Sequence, residues 1–112
     1  MPNSRLTTLE TRYLELRRQL ADIGYLSHGS VYRPPAGRRG ARFTWSTKID
    51  GKTVSLALSA NQADWLDHAI AEHRKLKTLL IEMRQLSRKI MRLRFPDIER
   101  RTRLNVRILR LI

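Results

Sequence analysis

Six cationic side chains fall on or beside one short stretch of the chain, Arg33, Arg38, Arg39, Arg42, Lys48 and Lys52. The four arginines surround a loop rich in proline and glycine, and the two lysines flank an Asp-Gly pair. A guanidinium presents a planar fork that takes two phosphate oxygens at once, and an ammonium adds a point charge. The cluster therefore predicts several contacts to the phosphates of a nucleic acid.

A second set of cations repeats further along the chain. Arg84, Arg88 and Arg92 recur at i, i+4 and i+8, which places them in one row on a helix. A solvated helix face normally alternates charge signs, yet no acid lies between Glu82 and Asp97. This pattern favours phosphate contact over plain solvation, which stays the alternative.

Constellations typical of enzymes are scarce. The chain has no cysteine, and His68 and His73 are five residues apart, off the i, i+4 spacing at which two imidazoles share a metal on one helix face. Hydrolase, kinase and dinucleotide motifs are absent from the sequence. We expect a protein that is not an enzyme and that uses no cofactor and no metal.

The charge balance points to a polyanion as the partner. The 23 lysines and arginines outnumber 10 acids, which leaves a formal net charge of +13. The first 26 residues are nearly neutral, so the excess lies in the rest of the chain, where a nucleic acid is expected. A basic surface that serves only solubility, or that meets an acidic protein, is the alternative.

Two heptad seams predict a pair of helices. Apolar residues step by 3, 4, 3, 4 and 3 in each of two sets, Leu6, Leu9, Tyr13, Leu16, Leu20, Ile23 and Leu76, Leu79, Met83, Leu86, Ile90, Leu93. Thr7 with Glu10 has the form of a capping box, so the first helix is expected to begin there or one turn earlier, and Gly24 to end it. Ser59 with Gln62 opens a second helix of about 35 residues, since no proline follows until Pro96.

Three short strands are predicted between these helices, at residues 30–33, 43–49 and 52–58. Asp50-Gly51 joins the last two and is the signal of a type I′ hairpin turn. Phe43, Trp45 and Ile49 alternate with polar residues, so Trp45 is expected in the core rather than as a platform for base stacking. The opposite, polar face could follow a nucleic-acid backbone; it holds Thr44, Ser46, Lys48, Thr53 and Ser55. Trp65, Leu66, Ala69 and Ile70 are assigned to packing on the apolar face of the hairpin.

Several segments resemble a group of small bacterial proteins whose genes lie beside transposase genes. The resemblance covers about residues 14–90 and is carried most specifically by W-x-x-K-x-D-G-K-T-V at residues 45–54, with further likeness at 19–25, 29–31 and 58–62. Members of that group often carry a cysteine cluster in the loop before the second strand, where this chain has arginines. The resemblance implies a mobile-element context.

The sequence thus predicts an α+β fold. An antiparallel helical hairpin, a coiled-coil-like arm, would carry a small three-stranded antiparallel β-sheet inserted at its tip. Residues 1–96 would form this single domain, and residues 97–112 a basic amphipathic C-terminal tail or helix. We expect no secretion signal and no membrane span, and a cytoplasmic location in which association with the nucleoid is open.

The expected function is binding of DNA or RNA mainly through phosphates, in support of a transposase or recombinase complex. Both basic surfaces are expected to contact one nucleic acid. The alternative is an interaction adaptor that docks a partner protein through its heptad seam or its tail. A third possibility is a tail that binds an anionic membrane surface.

Overall fold

The computed structural model describes residues 4–37, 40 and 42–96. Two helices, α1 (Ser4–Ala21) and α2 (Ala60–Arg94), enclose three strands in chain order, β1 (Ser30–Tyr32), β2 (Phe43–Ile49) and β3 (Lys52–Leu58). The expected α+β fold is confirmed. The chain divides into two units, of which the first contains the residues up to Asp22 together with those from Lys77 onward, and the second is Ile23–Leu76. The predicted tail at 97–112 lies outside the described residues.

The first unit is the helical arm. Glu10 is bonded to Arg94 and Arg12 to Glu82, so an earlier position on α1 meets a later position on α2, and the two helices run antiparallel. Its core consists of Leu16, Leu79, Met83 and Leu86, all fully or almost fully buried. All twelve seam residues are buried or partly buried, so the heptad spacing identified the inner faces correctly.

The start of α1 differs from the predicted capping box. The helix already includes Ser4, so the earlier of the two expected starts is correct, and the capping box at Thr7 is wrong because this residue lies one turn inside the helix. The Thr8 and Thr11 hydroxyls donate to the carbonyl oxygens four residues earlier, both at 2.9 Å, because a threonine inside a helix can satisfy its hydroxyl this way. Gly24 is also not the stop, since the helix ends at Ala21.

The start of α2 is as predicted. The Gln62 amide donates to Ser59 Oγ at 3.1 Å, and the Ser59 amide donates to Gln62 Oε1 at 2.8 Å. These two bonds satisfy donors that a helix start otherwise leaves without partners. The helix ends at Arg94, just before Pro96, because the residue preceding a proline avoids helical backbone angles.

The sheet lies in the second unit and has the order β1-β2-β3, with both pairs antiparallel. Val31, Phe43, Trp45 and Thr47 share one face by register, and Thr47 is the buried polar residue of that face. On α2, Ala63, Ala69 and Ile70 are buried. Trp65 is 53% exposed, so the prediction that it packs on the apolar face of the hairpin is wrong. Its ring instead lies 5.5 Å from that of Tyr25.

Candidate nucleic-acid interface

The hairpin turn fixes where its two lysines point. Asp50 and Gly51 both have positive φ, 50° and 77°, as a type I′ turn requires, and the turn holds two residues because Ile49 pairs with Lys52. Lys48 pairs with Thr53, one step further along, and successive residues of a strand face opposite sides. Lys48 and Lys52 therefore project from opposite faces of the hairpin, and no single flat surface takes both.

Lys48 belongs to the polar face that the sequence predicted. The register places Thr44, Ser46 and Lys48 of β2 on the same side as Thr53 and Ser55 of β3. Ser46 Oγ and Ser55 Oγ lie 3.1 Å apart and share a hydrogen bond across the strands. Hydroxyls and one ammonium are groups that bond to phosphate oxygens and to sugars, so this face has the chemistry to follow a backbone.

Arg33 is held inside the second unit. Its guanidinium donates to Asp67 Oδ2 at 2.8 Å and to Asp64 Oδ1 at 2.6 Å, and it lies 5.7 Å from the centroid of the Phe43 ring. The hydrogen bonds to the two aspartates, Asp64 first, raise the pKa of Arg33 above its usual value. These contacts join the end of β1 to α2. The assignment of Arg33 to an interface stays a prediction, and the function proposed below does not include this residue.

Of the remaining loop arginines, the structure describes Arg42 alone. Arg42 is exposed immediately before β2, and its carbonyl accepts a hydrogen bond from Thr44 Oγ1 at 3.2 Å. Arg38 and Arg39 lie outside the described residues. Among the predicted cations of this unit, Arg42, Lys48 and Lys52 are therefore the described side chains that reach solvent and form no ion pair with an acid of the described chain.

A loop that the sequence analysis did not single out anchors the sheet to α2. The Ser27 amide donates to the Ala69 carbonyl at 3.1 Å, and Trp45 Nε1 donates to the His28 carbonyl at 2.7 Å. Gly29, the next residue after His28, has φ of 89°, and the Ser46 carbonyl oxygen lies where a Cβ at this position would have to sit. The only sequence signal for this contact is a glycine outside any turn motif.

The arginine row of α2 lies in the first unit. Arg84 and Arg92 are exposed and Arg88 is half-buried. At a rise of about 1.5 Å per residue, Arg84 and Arg92 lie about 12 Å apart along the helix. A B-form duplex carries about one charge per 1.7 Å of axis with both strands counted, so a duplex segment of this length holds about seven phosphates, of which the row would meet those on the facing side.

Ion pairs within the first unit use all four of its described acids, Glu10, Glu15, Asp22 and Glu82. Their partners are three arginines, Arg94, Arg18 and Arg12, at separations from 2.6 to 3.5 Å. Arg18 is the main reason that the pKa of Glu15 falls from 4.5 to about 2, and Arg12 likewise lowers the pKa of Glu82. Residues 4–22 and 77–96 hold ten lysines and arginines against these four acids, so an excess of six positive charges remains.

No group of three or more potential metal ligands occurs among the residues that the structure describes. Within the same residues, no helix is both long and apolar enough to cross a bilayer. Comparison with known protein families, curated proteins and solved structures finds no match to this chain. The resemblance to proteins encoded beside transposase genes therefore stays a prediction.

Proposed function

We propose that this protein binds DNA or RNA through the phosphate backbone, with the arginine row of α2 and the basic hairpin as contact surfaces. The excess of six positive charges on the described part of the first unit carries the proposal. In residues 4–22 and 77–96, ten lysines and arginines stand against four acids, so the charge of this part is positive whatever the pairing of single side chains. Residues 97–112 add five arginines and only two acids, which raises the excess further.

The geometry of the row supports phosphates as the partner rather than a small anion. Three guanidiniums at successive steps of about 6 Å form a line, and a line matches a repeating backbone. Phosphate contacts carry no sequence information, so we expect binding to duplexes of different sequence with similar affinity. A role beside a transposase or recombinase is proposed on the sequence resemblance alone.

The adaptor alternative is less well supported. A partner that docked through the heptad seam would have to replace the contacts of Leu16, Leu79 and Leu86, which are at most 6% exposed. Docking through the tail involves residues outside the described part. Salt separates the two functions, because phosphate binding weakens steeply with ionic strength and apolar docking does not.

The test is a salt titration of binding to fluorescent DNA and RNA duplexes, with the full chain and three charge-matched variants. The row variant replaces with Gln the residues Arg84, Arg88 and Arg92. The hairpin variant replaces with Gln the residues Arg42, Lys48 and Lys52. The control replaces with Gln three arginines whose guanidiniums bond to carboxylates, Arg12, Arg18 and Arg94. Each variant lowers the net charge by three.

A plot of log affinity against log salt has a negative slope. This slope should become less steep by about one unit for each lost phosphate contact. We expect the slope to become less steep by about two to three units in the row variant, by about one to two in the hairpin variant because its two lysines lie on opposite faces, and by less than one in the control. An equal reduction of the salt slope in all three variants would mean that binding depends on the net charge alone and not on these surfaces. Unchanged affinity and slope in the row and hairpin variants would reject the proposal.

A further inference from the structure

Strand β3 forms an edge of the sheet, and its outer side is well suited to pairing. It runs for seven residues, Lys52–Leu58, and within the described chain no strand pairs along that side. Edge strands are protected by prolines, bulges and charged side chains, above all lysines, and β3 has a regular register, no proline and one lysine, Lys52, at its first residue, so its centre is unprotected.

The register shows which backbone groups point outward. Ile49 and Lys52 flank the two-residue turn, where the facing residues exchange both of their hydrogen bonds. The pattern then alternates along the strand, so the amide and carbonyl groups of Thr53, Ser55 and Ala57 are directed away from β2. These six groups are centred on Ser55.

The side chains of β3 add an apolar surface next to that edge. Val54 is 41% exposed and Leu56 is 56% exposed, and both lie on the face of the sheet that holds Trp45 and Thr47. Apolar pairs placed directly opposite each other across strands stabilise a sheet by about 0.2–1 kcal/mol each. A neighbouring strand with apolar residues in matching places would therefore cover this surface.

We propose that a second copy of this chain is that neighbour, and that the two β3 strands pair antiparallel about a two-fold axis at Ser55, forming one six-stranded sheet. In this register Ser55 faces its own counterpart and Thr53 faces Ala57, so all six outward groups of each strand find partners. Val54 faces Leu56 of the second copy on each side of the axis, so the two apolar surfaces meet side by side on one face of the sheet.

The position of the charged residue in β3 is also compatible with pairing to a second copy. Lys52 faces the apolar Leu58 of the second copy, and its own counterpart lies six residues away, about 20 Å at 3.4 Å per residue. The facing pairs that this register creates are compatible, since Val54 meets the apolar Leu56, Thr53 meets the small Ala57, and no like charges face each other. Formation of the dimer does not require nucleic-acid binding, although Lys52 belongs to both surfaces.

The test uses the two-fold axis. Ser55→Lys and Ser55→Glu each place like charges opposite each other across the axis, while a mixture of the two variants places opposite charges there. Masses are measured by light scattering of nuclease-treated protein at high salt, which screens the net charge. We expect wild type at about twice the 13.2 kDa of one chain. We also expect a dissociation constant about tenfold or more higher for each variant alone, and recovery of the dimer in the mixture.

Thr53→Lys with Thr53→Glu is the matched control, because residue 53 faces Ala57 and not its own counterpart. Mixing these two variants should give no comparable recovery. A monomeric wild type at about 100 μM would overturn the proposal, since a strand-pairing dimer of functional use forms at lower concentration. A wild-type dimer that neither Ser55 variant weakens would overturn it as well, because the interface would then lie elsewhere.

Discussion

Substitution of Gly29 by alanine should destabilise the second unit far more than the same substitution at Gly51. Both glycines have similar backbone angles, φ of 89° and 77°, so both substitutions carry the cost of a left-handed non-glycine residue, about 1–2 kcal/mol. A Cβ at Gly51 would meet nothing within 4 Å. A Cβ at Gly29 would lie 2.9 Å from Trp45 Nε1 and too close to the Ser46 carbonyl for any real contact.

The difference between the two variants isolates the steric term. Forcing a methyl group into filled space costs about 1–3 kcal/mol, so we expect a loss of about 1–2 kcal/mol for Gly51→Ala and about 2–5 kcal/mol for Gly29→Ala. Displacing the Ser46 carbonyl also strains the bond from Trp45 to the His28 carbonyl.

Urea unfolding followed by tryptophan fluorescence measures the effect, because Trp45 and Trp65 both lie in the second unit. The free energies of unfolding of the two variants are compared under the same conditions, with the slope against urea checked for change. Equal losses in the two variants would refute the reasoning that the Gly29 loop is closed against β2.

Three further predictions concern other parts of the molecule. Leu16→Ala should cost about 2–5 kcal/mol of unfolding free energy because the side chain is 1% exposed, while Leu14→Ala, two residues away and 58% exposed, should stay within about 0.5 kcal/mol; both are measured by urea unfolding followed by circular dichroism, since the first unit is helical. The lowered pKa of Glu15 contributes stability above about pH 4.5 that is lost as the pH falls toward 2, so Glu15→Gln should flatten the decline of Tm over this range, followed by circular dichroism. Arg33→Ala should lower Tm, less so at high salt, because its ion pairs with Asp64 and Asp67 are lost, whereas Arg42→Ala should make the salt dependence of nucleic-acid binding less steep and leave Tm unchanged.

Local sequence signals predicted most of the elements. Asp50-Gly51 placed the hairpin with the observed strand bounds, and Ser59 with Gln62 placed the start of α2, because such turns and caps depend on residues within four positions of each other. The Thr7 capping box failed because a threonine hydroxyl has two ways to be satisfied at a helix start, and the sequence pattern cannot choose between them.

The burial of a side chain was harder to predict than the face of the strand or helix on which it lies. Alternation correctly put Val54 and Leu56 on the apolar side of β3, yet both are exposed, because a period of two identifies a face without showing whether another element covers it. The exposure of Trp65 has the same cause. It follows the helical period, and its ring contacts Tyr25 at the surface.

The candidate site was predicted by composition, and contacts between distant residues refine it. Nothing local distinguishes Arg33 from Arg42, but Arg33 pairs with aspartates 31 and 34 residues later in the chain. The opposite orientations of Lys48 and Lys52 follow from the strand register once the turn length is known. The arginine row of α2 needed only the helical period, since all its members lie on one uninterrupted helix.

The salt dependence of wild-type binding tests the central proposal most directly. Affinity for a labelled duplex is measured by fluorescence anisotropy at several salt concentrations, for two unrelated sequences. Three contacts from the arginine row alone predict a slope of log affinity against log salt of about −2.7 or steeper, the same for both sequences. An affinity that does not change between about 50 and 200 mM salt, or no binding at the lower concentration, would contradict phosphate recognition by this protein.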